Sequence, residues 1–324
     1  MLQTFNTHLQ KIMPYITPTS VLIGVIFAEW LSLYVFLVPW IFTFMTFSGS
    51  LGSNFRDLKN VLRNPMAMFV CLIVLHLVMP LLALGVGSLV FPDDTYTTMG
   101  LVLSFVIPTG ITSLIWVSIY KGNVVLTLSI ILVDTLLAPF IIPLMLQLLV
   151  GNAVEIDSRE IMTGLLWMIV IPSVLGMFVN QFAKKEITRT LESNLAPFTK
   201  LGIGTVVAIN SSAVAPLLKN IDGKLLLIAV IVFVLAVMAY TIGYFSGKLI
   251  KLDQGTVVSL TFNSGMRNIS GGAVIAITYF PAAAAVPVIV GMLFQQVLAS
   301  FTGSLISKFS LHSTGKEAEV HYLK

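Results

Sequence analysis

Two stretches decide how this chain reads: Pro108-Thr109-Gly110-Ile111-Thr112-Ser113 and Asn263-Ser264-Gly265-Met266-Arg267-Asn268. Each interrupts an apolar run long enough to cross a bilayer, for which a helix needs about 20 residues. Proline removes a backbone donor and clashes with the preceding turn, and glycine loosens the backbone. In lipid, freed amide and carbonyl groups cost several kcal/mol each unless protein, water or a solute satisfies them. The two stretches therefore predict two broken helices at bilayer depth that line a cavity. The plainer alternative is a pair of kinks closed by Ser and Thr hydroxyls.

The surrounding composition agrees with a lipid solvent. The 324 residues are 57% hydrophobic and 10% charged, with a mean hydropathy of +0.97. Soluble domains carry about 45–50% apolar and about 25% charged residues. These values exclude a disordered chain, a coiled coil, a disulfide scaffold and a cytosolic enzyme. The net charge of +4 comes from scattered residues rather than a basic stripe, so no nucleic-acid partner is expected. Cys71 is the sole cysteine and lies in an apolar run, which reads as a small buried side chain. Met1–Met13 is polar and is followed by no cleavage-site pattern, so no cleaved signal peptide is expected.

Apolar runs give ten candidate spans, near 15–32, 36–53, 66–90, 96–120, 123–150, 161–182, 196–218, 224–247, 254–280 and 284–307. They are continuous rather than alternating, which favours helices over a membrane barrel. Fourteen of the 18 basic residues then fall on the side that holds both termini, three on the other side, and Arg267 inside a span. Basic residues mark the cytoplasmic side, so both termini are expected there. The fold class is an all-α polytopic membrane protein with one transmembrane domain over 1–324. A first repeat covers about 15–150, a second about 161–307, and a polar tail 310–324. Five spans per half would enter from opposite sides, the inverted-repeat plan of many secondary transporters. The two breaks sit in the fourth member of each half.

Asp134 in the fifth span and Arg267 just past the second break are the formal charges expected at bilayer depth. Such groups should face an interior or a watery cavity. They read either as a fixed ion pair between helices, or as a substrate-anion anchor (Arg267) and a protonatable group (Asp134). Guanidinium matches carboxylate in bidentate fashion, which suits an organic anion. Thr127 shares a helix face with Asp134, and Thr112 and Ser113 follow the first break. With Asn263, Ser264 and Asn268 they form a candidate substrate and ion site. Each small polar residue alone reads equally as a helix-packing group. His76 in the third span reads as a titratable group or, more simply for a lone His on an apolar helix, as a hydrogen-bonded packing residue, while Asn210-Ser211-Ser212 and Gln295-Gln296 carry weaker claims as cavity lining. No HExxH, GxSxG, Walker loop or paired intramembrane aspartates occur, so the chain does not read as an enzyme.

Several motifs carry a family resemblance. Pro108–Ser113, then Lys121-Gly122-Asn123-Val124-Val125-Leu126-Thr127, then Leu136-Leu137-Ala138-Pro139, resemble the bile acid:sodium symporter family, where a Pro-Gly-Gly-Thr-x-Ser-Asn break precedes an Arg-Gly-Asn/Asp-Val-Ala-Leu-Ser stretch. Asn263–Asn268 resembles its Glu-x-Gly-x-Gln-Asn motif, and Gly291-Met292-Leu293-Phe294 with Gly303-Ser304 resembles its last span. The resemblance implies ten helices in a panel and a core, two crossed broken helices, and movement of organic anions by alternating access. Of the residues it implies for sodium, Ser113 and Thr127 survive as a residual site. Leu114 stands for an Asn, Ile131 for a Thr, Asn263 for the Glu, Arg267 for a Gln, and Leu75 for the Gln before Met79-Pro80. Coulomb repulsion from a permanent cation disfavours a sodium ion beside Arg267.

The expectation is a secondary transporter of a small organic anion in the inner (plasma) membrane. It needs no organic cofactor. Sodium is the coupling ion that the resemblance implies. A proton-coupled or uncoupled carrier, with Arg267 replacing a sodium ion, is the alternative. A non-transporting membrane sensor on the same scaffold is the reading from another class. Oligomeric state and substrate identity are left open.

Overall fold

The computed structural model describes residues 2–53, 65–151, 154–219 and 221–321, and these are almost wholly helical. In chain order the main helices are α1 (Leu2–Ile26), α2 (Ala28–Ser50), α3 (Pro65–Val90), α4 (Thr95–Val106), α5 (Ser113–Ile119), α6 (Val124–Val150), α7 (Ser158–Phe182), α8 (Lys185–Ala213), α9 (Gly223–Leu249), α10 (Gln254–Gly265), α11 (Ile269–Tyr279) and α12 (Ala282–His321), with a single turn at Ala215–Lys219 after α8. Among the described residues, α2, α3, α6, α7 and α9 are long and apolar enough to cross a membrane, and the bent pair Ala282–Gln295 and Val297–Ile306 within α12 adds a sixth. Tyr15–Ile26, α4 and α11 are shorter apolar helices.

Acid and amide side chains start many of these helices. Asp94, Asn123, Asp222, Asp253 and Asn268 each accept a hydrogen bond from an amide in the first turn of the helix that follows. Such a cap satisfies one of the donors a helix start leaves open. The outward faces are apolar. Trp30 is 76% exposed, Trp40 74% and Leu89 83%, which is stable only against lipid. The protein is a multi-pass membrane protein.

Several sequence-based boundaries shift. The first break lies at Phe27, not in Ser32–Val38, which stays helical and only tightens to 3-10 geometry over Ser32–Leu37. No proline or glycine occurs between Phe27 and Pro39 to end the helix there. The polar stretch between the spans expected near 161–182 and 196–218 is helical from Lys185 onward, since its Lys, Glu, Arg and Leu residues are good helix formers. α12 continues to His321 through the segment expected as a tail. Arg56, Lys59 and Arg63, which weigh in the orientation argument, lie outside the described residues.

Both sequence-predicted breaks are present. The first opens between Val106 and Ser113. The second opens at Met266-Arg267-Asn268, whereas Asn263-Ser264-Gly265, expected to be the break itself, remains the last turn of α10. The reason is local: Asn263 donates its side-chain amide to the Ser259 carbonyl at 2.8 Å, inside its own helix, while Asn268 caps the next one. α1, α2 and α8 pack on one another, and α7 packs on α2 and α6. α4 packs on α3, α6 and α12, and α10 on α9 and α6. The two breaks meet inside the second group.

Candidate functional site at the helix crossing

The unwound segments satisfy each other. Thr109 and Arg267 form an isolated antiparallel β-bridge. The Gly110 amide donates to the Met266 carbonyl at 3.1 Å, and the Asn268 amide donates to the Pro108 carbonyl at 2.8 Å. These bonds meet the demand that lipid makes of open backbone. They also require close approach: a Cβ on Gly110 would lie 2.8 Å from the Arg267 carbonyl oxygen.

A neutral cluster locks the α10 side of the crossing. The Asn263 amide nitrogen donates to the Thr127 hydroxyl at 3.1 Å, and its oxygen lies 3.2 Å from the Ser113 hydroxyl. The Thr109 hydroxyl lies 3.0 Å from the carbonyl oxygens of both Asn263 and Met266. Ser113, Thr127 and Asn263 are wholly buried. The structure thus brings together three of the expected site residues, with Thr109 as a fourth that was quoted in the motif but not weighed as a site residue. Ser264 is placed apart from them. Its hydroxyl faces the Cys71 thiol at 3.9 Å.

The two intramembrane charges are not an ion pair. Asp134 is fully buried, and its Oδ1 lies 2.5 Å from His76 Nε2. Its Oδ2 accepts the Thr109 amide at 2.7 Å. Among the described residues, Arg267 has no carboxylate within 4.0 Å. Of the two readings of this pair, the direct ion pair is the one the geometry does not bear out: α3 delivers a nearer partner, His76, to Asp134. His76 is hydrogen-bonded, as expected, but its partner is a charge in the crossing rather than a packing neighbour. The signal available in the sequence was a titratable residue in an apolar span four positions before Pro80.

Proline placement explains where Arg267 points. Residues Val74–Val78 widen to π geometry, so the Met79 amide bonds to the Val74 carbonyl. The next acceptor in that pattern, Leu75, would need an amide from Pro80, which has none. Arg267 Nη1 lies 3.4 Å from that Leu75 carbonyl and 3.4 Å from the Ile107 carbonyl at the first break. The guanidinium carbon stands 6.0 Å from the Phe105 ring centre. Nε and Nη2 are buried without a partner, and the Arg267 amide donates to Gln295 Oε1 at 3.1 Å.

Two cavities lie between the crossing and the α2–α8 face. One, of about 200 Å³, is lined by Thr46, Thr112, Arg267, Asn268, Ser270 and Gln295 among others. The other, of about 300 Å³, shares Thr46 and Asn268 and extends to Thr109, Thr135, Ser173 and Glu192. Asn268 lines both while capping α11. Asn210 and Ser211 line neither and are buried in α8 with unpartnered polar atoms. Gln295, a weaker candidate from sequence, joins the site.

The family model described as Sodium Bile acid symporter family matches residues 39–221. The uncharacterized protein YbaS of Bacillus subtilis (strain 168) is 53% identical over 299 residues, covering 92% of this chain and 98% of that protein. The uncharacterized sodium-dependent transporter YocS of the same organism is 26% identical over 84% of this chain and 85% of its own length. The probable sodium/metabolite cotransporter BASS2 of Oryza sativa subsp. japonica is 25% identical over 84% of this chain and 65% of its own length. With two crossed, broken helices beside a cavity and a family model matched over more than half its length, the chain belongs to the sodium bile acid symporter family.

Proposed function

We propose that this protein is a secondary transporter of a small organic anion, working by alternating access about the crossing in the inner membrane. The observation that carries the reading is the buried Arg267 guanidinium, with unpartnered Nε and Nη2 and no carboxylate partner among the described residues, beside the cavity of about 200 Å³. A cation at bilayer depth with no carboxylate in contact is costly, and an anionic solute is a partner that relieves it. The N-terminus of α11 supports the same sign. Asn268, Ile269 and Ser270 line that cavity where the helix dipole is positive.

We further propose ten crossings as two inverted five-helix repeats, with both termini cytoplasmic. Names of relatives support sodium as a coupling ion. Ser113 and Thr127 are the residues left for one sodium ion, which would have to displace the Asn263 amide that now bonds Thr127. Beside Arg267 the permanent positive charge takes the role of a second cation.

The test is uptake by proteoliposomes of radiolabelled pyruvate, 2-ketoisovalerate, pantoate and taurocholate under imposed sodium or proton gradients. Concentrative uptake of at least one of them, lost in Arg267→Gln, is expected. Binding without flux would overturn transport and favour a sensor.

A further inference from the structure

We infer that His76 and Asp134 form a proton-binding site that couples proton entry to anion movement. This rests on the transport reading above and deepens it by adding a proton to the coupling ions and naming the groups that carry it.

The first argument is burial. Asp134 is fully buried and His76 is 5% exposed. A buried carboxylate needs either a partner of opposite charge or a proton. Arg267 is not within ion-pair distance, so the group able to balance Asp134 by contact is the imidazole 2.5 Å away. That balance requires one added proton, shared between the carboxylate and Nε2 or carried as imidazolium. With it the pair has no net charge, and without it the pair is an anion.

The second argument is the open ring nitrogen. A structural histidine normally has its tautomer fixed by a bond to the other nitrogen. His76 Nδ1 is buried and has no partner. The imidazole is thus held at one nitrogen alone, Nε2, by Asp134. Among the described residues, the charged and titratable groups that interact with Asp134 are Cys71 on α3 and Arg267 between α10 and α11, and Tyr240 on α9 faces Arg267. Arg267 is the fixed charge among them.

The third argument is position. Asp134 uses its second oxygen to hold the Thr109 amide, and Thr109 is the residue bridged to Arg267. Hydrogen bonds to an ionised acceptor are roughly twice as strong as neutral ones. A proton on the pair therefore weakens the grip on the first break, one residue from the cavity wall at Gly110. It also removes the negative charge nearest the anion site. An anion at Arg267 and a proton at His76–Asp134 thus favour each other, and linkage makes that preference mutual. The proton enters from water on the loading side, rests on the pair, and leaves with the anion.

The test is accumulation of whichever labelled carboxylate from the panel above is taken up, in proteoliposomes with an inward proton gradient and equal sodium on both sides, with a pH dye reporting the external medium. Wild-type protein should accumulate the anion and alkalinise the medium as it does so. Asp134→Asn keeps an acceptor for the Thr109 amide, and His76→Gln keeps a polar side chain. Both should lose proton-driven accumulation and the dye signal that accompanies it. The wild-type dye signal needs no variant, so misfolding of either variant leaves the result readable. Uptake driven by a sodium gradient but indifferent to the proton gradient overturns this inference alone. No uptake under any gradient overturns the transport reading and this inference with it.

Discussion

Thr109 and Arg267 stand opposite each other in a two-stranded contact made by segments that are helical on either side. The contact holds because the backbones approach without a side chain between them. Gly110 supplies that space. Gly110→Val places a branched Cβ against the Arg267 carbonyl oxygen, where even one added carbon would lie at 2.8 Å. The variant should lower the melting temperature in detergent and abolish uptake. An unchanged melting curve with normal uptake would show that the crossing tolerates separation.

Asn263 ties Thr127 on α6 to Ser113 on α5. Asn263→Ala leaves those hydroxyls buried with fewer partners, at about 1–3 kcal/mol for each one left unsatisfied. Thermal unfolding in detergent should show the loss. Asn263→Asp loses the donor to the Ser259 carbonyl and buries a carboxylate, so it should also lose stability without sodium and regain part of it with sodium, read as sodium-dependent protection against heat.

The charge swap at the crossing can be reversed. Arg267→Gln with Asn263→Glu restores the residue types that the family motif carries at both positions. Anion uptake by the double variant should acquire sodium dependence that the wild type lacks at this position. If sodium leaves uptake unchanged, Arg267 does not stand in for a sodium ion. A wild-type stoichiometry of two sodium ions per anion would contradict the idea directly.

Asp94 caps α4 and pairs with Lys224 at the start of α9, 2.6 Å apart. Burial works to raise its carboxyl, but the Lys224 ammonium and the bonds from Thr97 outweigh it and hold the group below the usual carboxylate range. A depressed carboxyl stabilises the fold above its unfolded value of about 3.9, and that stability is lost as pH falls through the lower folded value. Asp94→Ala should therefore cost about 1 kcal/mol at neutral pH through the lost cap. The melting difference from wild type should narrow below about pH 4. A gap that stays constant across that range would assign the effect to packing rather than charge.

Composition was enough to identify the solvent, because 57% hydrophobic residues cannot be hidden in a soluble domain of this length. Local chemistry likewise showed where helices start and where two of them break, since caps, prolines and glycines act within a turn of their own position. The residue types of the site were legible for the same reason. Partner choice was not. Asp134 bonds His76, 58 residues away in the chain, and Asn263 bonds Thr127 at a separation of 136. Which buried groups meet depends on how α3, α6 and α10 pack. That packing also left Arg267 without a carboxylate within ion-pair distance among the described residues and opened the cavities beside it, because a charge in a low-dielectric interior is governed by contacts that no local pattern encodes.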